Sequence, residues 1–107
     1  MATTIFRILA RADWEAFQAS GSFRGTAHDL RDGFIHFSAE HQVAGTAAKH
    51  YAGQVDLVLL HVDTQRLASS TRAELKWEVS RGGDLFPHLY GELPLAAVER
   101  AEPFSVA

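Results

Sequence analysis

Val55-Asp56-Leu57-Val58-Leu59-Leu60-His61-Val62 is the stretch on which the fold turns. It is almost wholly apolar and too short for a buried helix, so it reads as a strand covered on both faces and therefore central in its sheet. Upstream, Thr4 to Leu9 is apolar and β-prone and predicts a first strand. Arg11 to Ser20 predicts a helix, with Trp14 and Phe17 on one face, Asp13 in its first turn and Gly21 just past its end. Ser22 to Asp32 is polar and contains Gly25, so it reads as a loop closed by the Asp32-Gly33 turn. Gly33 to Phe37 follows as a short strand. Ser38 then stands where a cap would open a second helix running to about Ala52, with Val43, Ala47 and Tyr51 on its buried face and Gly53 ending it.

Downstream, Thr64 to Leu67 reads as a turn or short helix. Ala73 to Val79 alternates, with Ala73, Leu75, Trp77 and Val79 on one face and Glu74, Lys76 and Glu78 on the other. The apolar set is expected in the core. Arg81-Gly82-Gly83-Asp84 is a turn. Phe86 to Tyr90 is a short extended segment, placed at a sheet edge or bulge because Pro87 has no N–H for a ladder. Val98 to Phe104 completes the set. The expected architecture is α+β, one domain over residues 1–107, with a mixed or antiparallel sheet and two main helices.

Composition narrows the function classes. The chain has 107 residues, no Cys and a net charge of −3. Disulfides, thiolate metal sites and cysteine nucleophiles are thereby excluded, and a reducing, cytoplasmic setting is expected. The longest apolar run, Leu57 to Leu60, is too short for a signal peptide or a spanning helix, so no membrane partner is expected. The basic residues are scattered with no stripe, which argues against duplex nucleic acid as the main partner. A small ligand or a protein partner remains open, the small molecule being the expected partner of a monomer or a homodimer.

The residues able to do chemistry sort by strand parity. Phe34, His36 and Ser38 share one face, and Phe86, His88 and Tyr90 share another. Each set joins an aromatic body to polar tips, as in clefts that hold organic ligands. His36 and Ser38 precede a helix N-terminus, where free N–H groups favour a phosphate or carboxylate. Glu78 suits a general base or a ribose hydroxyl, and His88 a titratable partner. Each also has a purely structural role open to it: Ser38 as an N-cap, His36 as a half-buried strand residue, Glu78 on a solvated face, and His88 with Tyr90 covering the core. His36 and His41 stand five apart and no HExxH spacing occurs; His28, Asp29 and Asp32 could supply hard ligands, but a solvated loop explains them as well, and no native metal is expected. GxSxG, P-loop and GxGxxG patterns are absent.

Three motifs in order, Asp32-Gly33-Phe34-Ile35-His36-Phe37-Ser38, Leu75-Lys76-Trp77-Glu78 and Phe86-Pro87-His88-Leu89-Tyr90-Gly91, resemble the bacterial family of domain of unknown function 952 over nearly the whole chain. That resemblance implies a fold similar to ADP-ribosyltransferases and RNA 2′-phosphotransferases, with NAD or an ADP-ribosylated intermediate in a cleft between two small sheets. It further implies that His36 and Ser38 contact a ribose and that Glu78 corresponds to the late catalytic Glu; in the most specific reading of the site, Glu78 or His88 is the polar catalyst and Phe34, Phe86 and Tyr90 stack on a ring. The transferase Tyr matches Tyr51 or Tyr90, and the phosphotransferase arginines have no assignment among Arg7, Arg24, Arg72 and Arg81. Three functions compete: a transferase-like enzyme acting on NAD, ADP-ribose or a related phosphorylated nucleotide; a ligand sensor without turnover; and a structural homodimer.

Overall fold

The computed structural model describes residues 3–70 and 73–106; Arg72 lies outside them. Strand β1 (Thr4–Ala10) leads directly into α1 (Arg11–Ser20), and the chain continues through β2 (Ser22–Phe23), α2 (Ala27–Asp32), β3 (Ile35–His36), a 3-10 turn (Glu40–Gln42) and α3 (Val43–His50). The second half runs β4 (Leu57–Asp63), α4 (Thr64–Ser70), β5 (Glu74–Val79), β6 (Leu85–Tyr90), β7 (Leu93–Pro94) and β8 (Val98–Phe104). The strands form three antiparallel sheets, ordered β1-β4-β8, β2-β7 and β3-β6-β5. The class is α+β, as expected, with four helices among the described residues rather than two.

The apolar run at residues 57–62 is the central strand, β4, between β1 and β8. It begins at Leu57 rather than Val55. Asp56 turns the chain with φ 60°, its C=O accepts the Arg11 N–H and its carboxylate accepts Arg11 Nε at 2.7 Å. Val55 is left in solvent. The main core gathers Ile5, Leu9, Phe17, Val58, Leu60, Val62 and Leu89 between the two larger sheets and α1, with Trp14 packed against it. A second cluster, Ile8, Ala47 and Leu57 with Val43 and Tyr51, lies under α3.

Four expectations change. Residues 22–32 hold a helix, α2, because Thr26 caps it: the Thr26 side chain accepts the Asp29 N–H and the Asp29 carboxylate accepts the Thr26 N–H. Gly25, at φ 117°, brings the backbone so near that a Cβ there would lie 2.7 Å from the Asp29 Cβ. Ser38 caps no helix; its hydroxyl meets the Thr46 hydroxyl at 2.9 Å, and its backbone exchanges two hydrogen bonds with Phe6. The Ala39 N–H that follows is taken by Gln42 Oε1.

Pro87 lies on β6, the middle strand of its sheet, not on an edge. Its C=O accepts the Phe37 N–H at 3.0 Å, but it has no N–H to return. The β3 ladder therefore ends at His36, and the chain crosses through Ser38 to pair with Phe6 of the other sheet. Trp77 and Val79 were expected in the core and are 43% and 70% exposed. They share the core-side face with Leu75, but β5 is an edge strand whose far end, with Val79 opposite Leu85, overhangs the core. Of that row, Ala73 and Leu75 pack against it. Truncation of the fully buried Phe17 to Ala should thus cost about 3–5 kcal/mol, and Trp77→Ala markedly less, as read by urea denaturation midpoints. Equal losses would place Trp77 back in the core.

Candidate functional site

The arrangement begins with one buried cation. Arg7, on β1, carries its guanidinium under α2, where Nη1 donates to Asp29 Oδ1 at 2.8 Å and to the His36 C=O at 2.9 Å. Asp29 is almost fully enclosed and takes four further contacts on its carboxylate, two from Thr26 and two from His36, so nothing of its charge is left bare. Burial by itself would raise the Asp29 carboxyl; the hydrogen bonds from His36 and Arg7 and the Arg7 charge prevail and hold it far below the ordinary carboxylate range. Among the described residues, no buried side-chain nitrogen or oxygen lacks a partner.

Asp29 in turn fixes His36. The His36 N–H donates to Asp29 Oδ1 at 3.0 Å and the His36 Nδ1 lies 2.6 Å from the same oxygen. His36 Nε2 faces Asp32 Oδ2 at 2.9 Å. Next to it, β3 and β6 pair His36 with His88, and the two rings sit 5.6 Å apart, edge to face. His88 is buried, and its Nδ1 lies 2.9 Å from Glu78 Oε1, an oxygen that also accepts from the Tyr90 hydroxyl at 2.7 Å. The hydrogen bond from Tyr90, then that from His88, lower the Glu78 carboxyl below its ordinary value, and the same contact raises the Tyr90 phenol. Phe34 stacks on His88 at 4.0 Å and lies 4.6 Å from His36 and 5.3 Å from Tyr90.

Three distant segments thus meet. His36, Ser38, Phe86 and His88 line one cavity of about 670 Å³ between β1, α2, α3 and the β3-β6-β5 sheet. Glu78, Tyr90 and Phe34 do not line it; they stand behind His88 and hold its ring. The cavity also takes Arg7, Asp29, Asp32, Thr46 and Lys49, none of them among the residues singled out from sequence as the site, and Tyr51, one of the two residues matched to the transferase Tyr. Asp29 and Asp32 were assigned to a loop, and the signal that places them is the Thr26-x-x-Asp29 capping pattern. Arg7 has no local signal, since a cation in an apolar strand reveals its partner only after folding.

Asp29→Asn removes the charge that balances buried Arg7 and should cost about 3–5 kcal/mol. A depressed folded pKa stabilises the protein above the unfolded value, about 3.9, and that contribution disappears as the pH falls below it. The melting temperature should hold between pH 7 and 5 and drop toward pH 3, and Asp29→Asn should flatten the drop; a wild-type profile unchanged by the substitution would remove Asp29 from this role.

Among the described residues no helix is long and apolar enough to cross a membrane. No curated protein matches the chain. A crystal structure of protein CC0527 from Caulobacter crescentus is similar at 50% identity, with a TM-score of 0.86 over 94% of this chain and 85% of that one. The solution NMR structure of CC0527 is similar at the same identity, with a TM-score of 0.79 over 94% and 83%. The model of the family described as protein of unknown function (DUF952) matches residues 8–101, and the chain belongs to that family.

Proposed function

We propose that the cleft binds a phosphorylated nucleotide of the NAD or ADP-ribose kind and that His88 is its acid–base group. The observation that carries this is the facing pair of imidazoles, His36 and His88, each with a carboxylate fixed behind it, on the wall of one cavity. Its volume of about 670 Å³ suits a nucleotide-sized guest, since ligand pockets run roughly 300–1,000 Å³. Lys49, on the same cavity, supplies a charge for phosphate, and the hydroxyls of Ser38 and Thr46 suit a ribose. Phe37, Phe86 and Tyr51 line the cavity, so ring contacts fall to them rather than to Phe34 and Tyr90. The resemblance to transferases that cradle NAD between two small sheets supports the same ligand class.

Glu78 acts through His88. A carboxylate accepting from Nδ1–H leaves a lone pair on Nε2, which can take the proton of an attacking hydroxyl or water. In the transfer reaction that oxygen bonds to the ribose carbon as the base departs with the electron pair. A binding module without turnover is the second reading, and it is favoured by His36, whose two ring nitrogens are both engaged by carboxylates.

NAD, ADP-ribose and simple nucleotides should be screened by thermal shift. A ligand at 100 times its dissociation constant stabilises by about 2.7 kcal/mol, a rise of several degrees. Lys49→Ala should weaken the shift. His88→Gln should keep binding within a few fold and abolish nicotinamide release by chromatography. No shift at millimolar ligand removes the proposal; a shift without turnover in the wild type leaves the binding module.

A further inference from the structure

We propose that His28, Asp32 and His36 bind a divalent transition-metal ion at the mouth of the cleft. His28 and Asp32 lie one turn apart on α2, and His36 follows on β3 after the Gly33 turn. This spacing brings one ligand atom from each residue within 4.8 Å of the other two. Asp32 Oδ2 is 2.9 Å from His36 Nε2 and 3.6 Å from His28 Nε2. Two ligands bound to one ion at about 2.0–2.1 Å are roughly 2.9 Å apart at a right angle and roughly 3.6 Å apart at 120°. The two separations already fit an ion between them.

The setting of the His36 ring argues the same way. Asp29, clamped by Arg7 and Thr26, lies 2.6 Å from His36 Nδ1 and fixes the ring. His36 Nε2 is thereby turned toward Asp32 Oδ2, 2.9 Å away. A carboxylate behind the distal nitrogen of a ligating histidine is also the usual support of such sites. Asp29 itself is not a ligand here, because its oxygens are already committed to Arg7, Thr26 and His36.

The donor set selects the ion. Two imidazoles and one carboxylate suit zinc, cobalt, nickel or iron(II), whereas magnesium and calcium prefer oxygen alone. All three residues line the 670 Å³ cavity, so the remaining coordination positions open toward it. Arg31 opposes the ion: its Nη2 contacts His28 Nδ1 at 2.6 Å, and its Nε lies 3.5 Å from Asp32 Oδ1. Ligation through His28 Nε2 puts the proton on Nδ1 and requires Arg31 to swing out, which its 70% exposure allows.

Chelator-treated protein should be titrated with Zn2+ by calorimetry and with Co2+ by visible absorption, in the absence of nucleotide so that the result is independent of the ligand proposed above. The expected result is one Zn2+ per chain, no heat with Mg2+, and a Co2+ spectrum that Zn2+ abolishes. His28→Ala and Asp32→Asn should each weaken Zn2+ binding at least tenfold with unchanged circular dichroism, while His61→Ala, on the distant β4, binds as the wild type does. Arg31→Ala should bind several fold tighter, a gain that loss of folding cannot imitate. Absence of one-to-one binding, or equal affinity in the wild type and in His28→Ala, Asp32→Asn and Arg31→Ala, overturns the proposal.

Discussion

The ion pair between Arg7 and Asp29 ties three parts of the chain together. Arg7 belongs to the β1-β4-β8 sheet, Asp29 to α2, and the backbone carbonyl that Arg7 also holds belongs to β3 of the other sheet. A guanidinium taken out of water is costly unless its donors are met by well-placed acceptors. Here four contacts are met, to Asp29, His36, Thr26 and Ile8, with the Phe23 ring 5.5 Å away. The pair therefore contributes less to net stability than to uniqueness: other placements of α2 strand a buried charge. The same carboxylate then fixes the His36 ring, so structural and chemical roles fall on one residue.

Proline supplies the second constraint. Because Pro87 cannot complete the ladder, β3 pairs for only two residues and the chain passes on to Phe6. That early departure separates the two larger sheets while keeping them joined at Ser38. The cavity occupies the gap, with imidazoles on one wall and α3 on the other. His88, next to Pro87, is held from behind by Glu78 and Tyr90 and stacked by Phe34, so its orientation is set by neighbours that do not reach the cavity.

The two proposals use one wall of the cleft for different ends. The nucleotide reading places chemistry at His88 and support at Glu78. The metal reading places an ion beside it, at α2, with open positions toward the same space. His36 belongs to both, since its ring adjoins His88 on one side and Asp32 on the other. Acidic residues around it are balanced by Arg7 inside and by Arg31 outside, so the local charge is set by whether Arg31 stays.

Much was legible in the chain itself, because period and punctuation are local properties. The apolar run at residues 57–62 shows a central strand, Gly21 shows where a helix stops, and strand parity puts His36 with Phe34 and His88 with Tyr90. Parity also placed Glu78 opposite the core-facing row correctly, while the burial of that row was misjudged, because alternation says which way Trp77 points and not where the core ends. Helix α2 was legible too, through Thr26 and Asp29, although the surrounding polarity argued for a loop. What only the tertiary structure decided is partnership. Arg7 and Asp29 are 22 residues apart, and His88 meets His36 only because β6 is the middle strand of its sheet. Ion pairs, ring contacts and shared ligand geometry depend on distances across the fold, and no local pattern of residues encodes a distance between segments that come together only when the whole chain has folded.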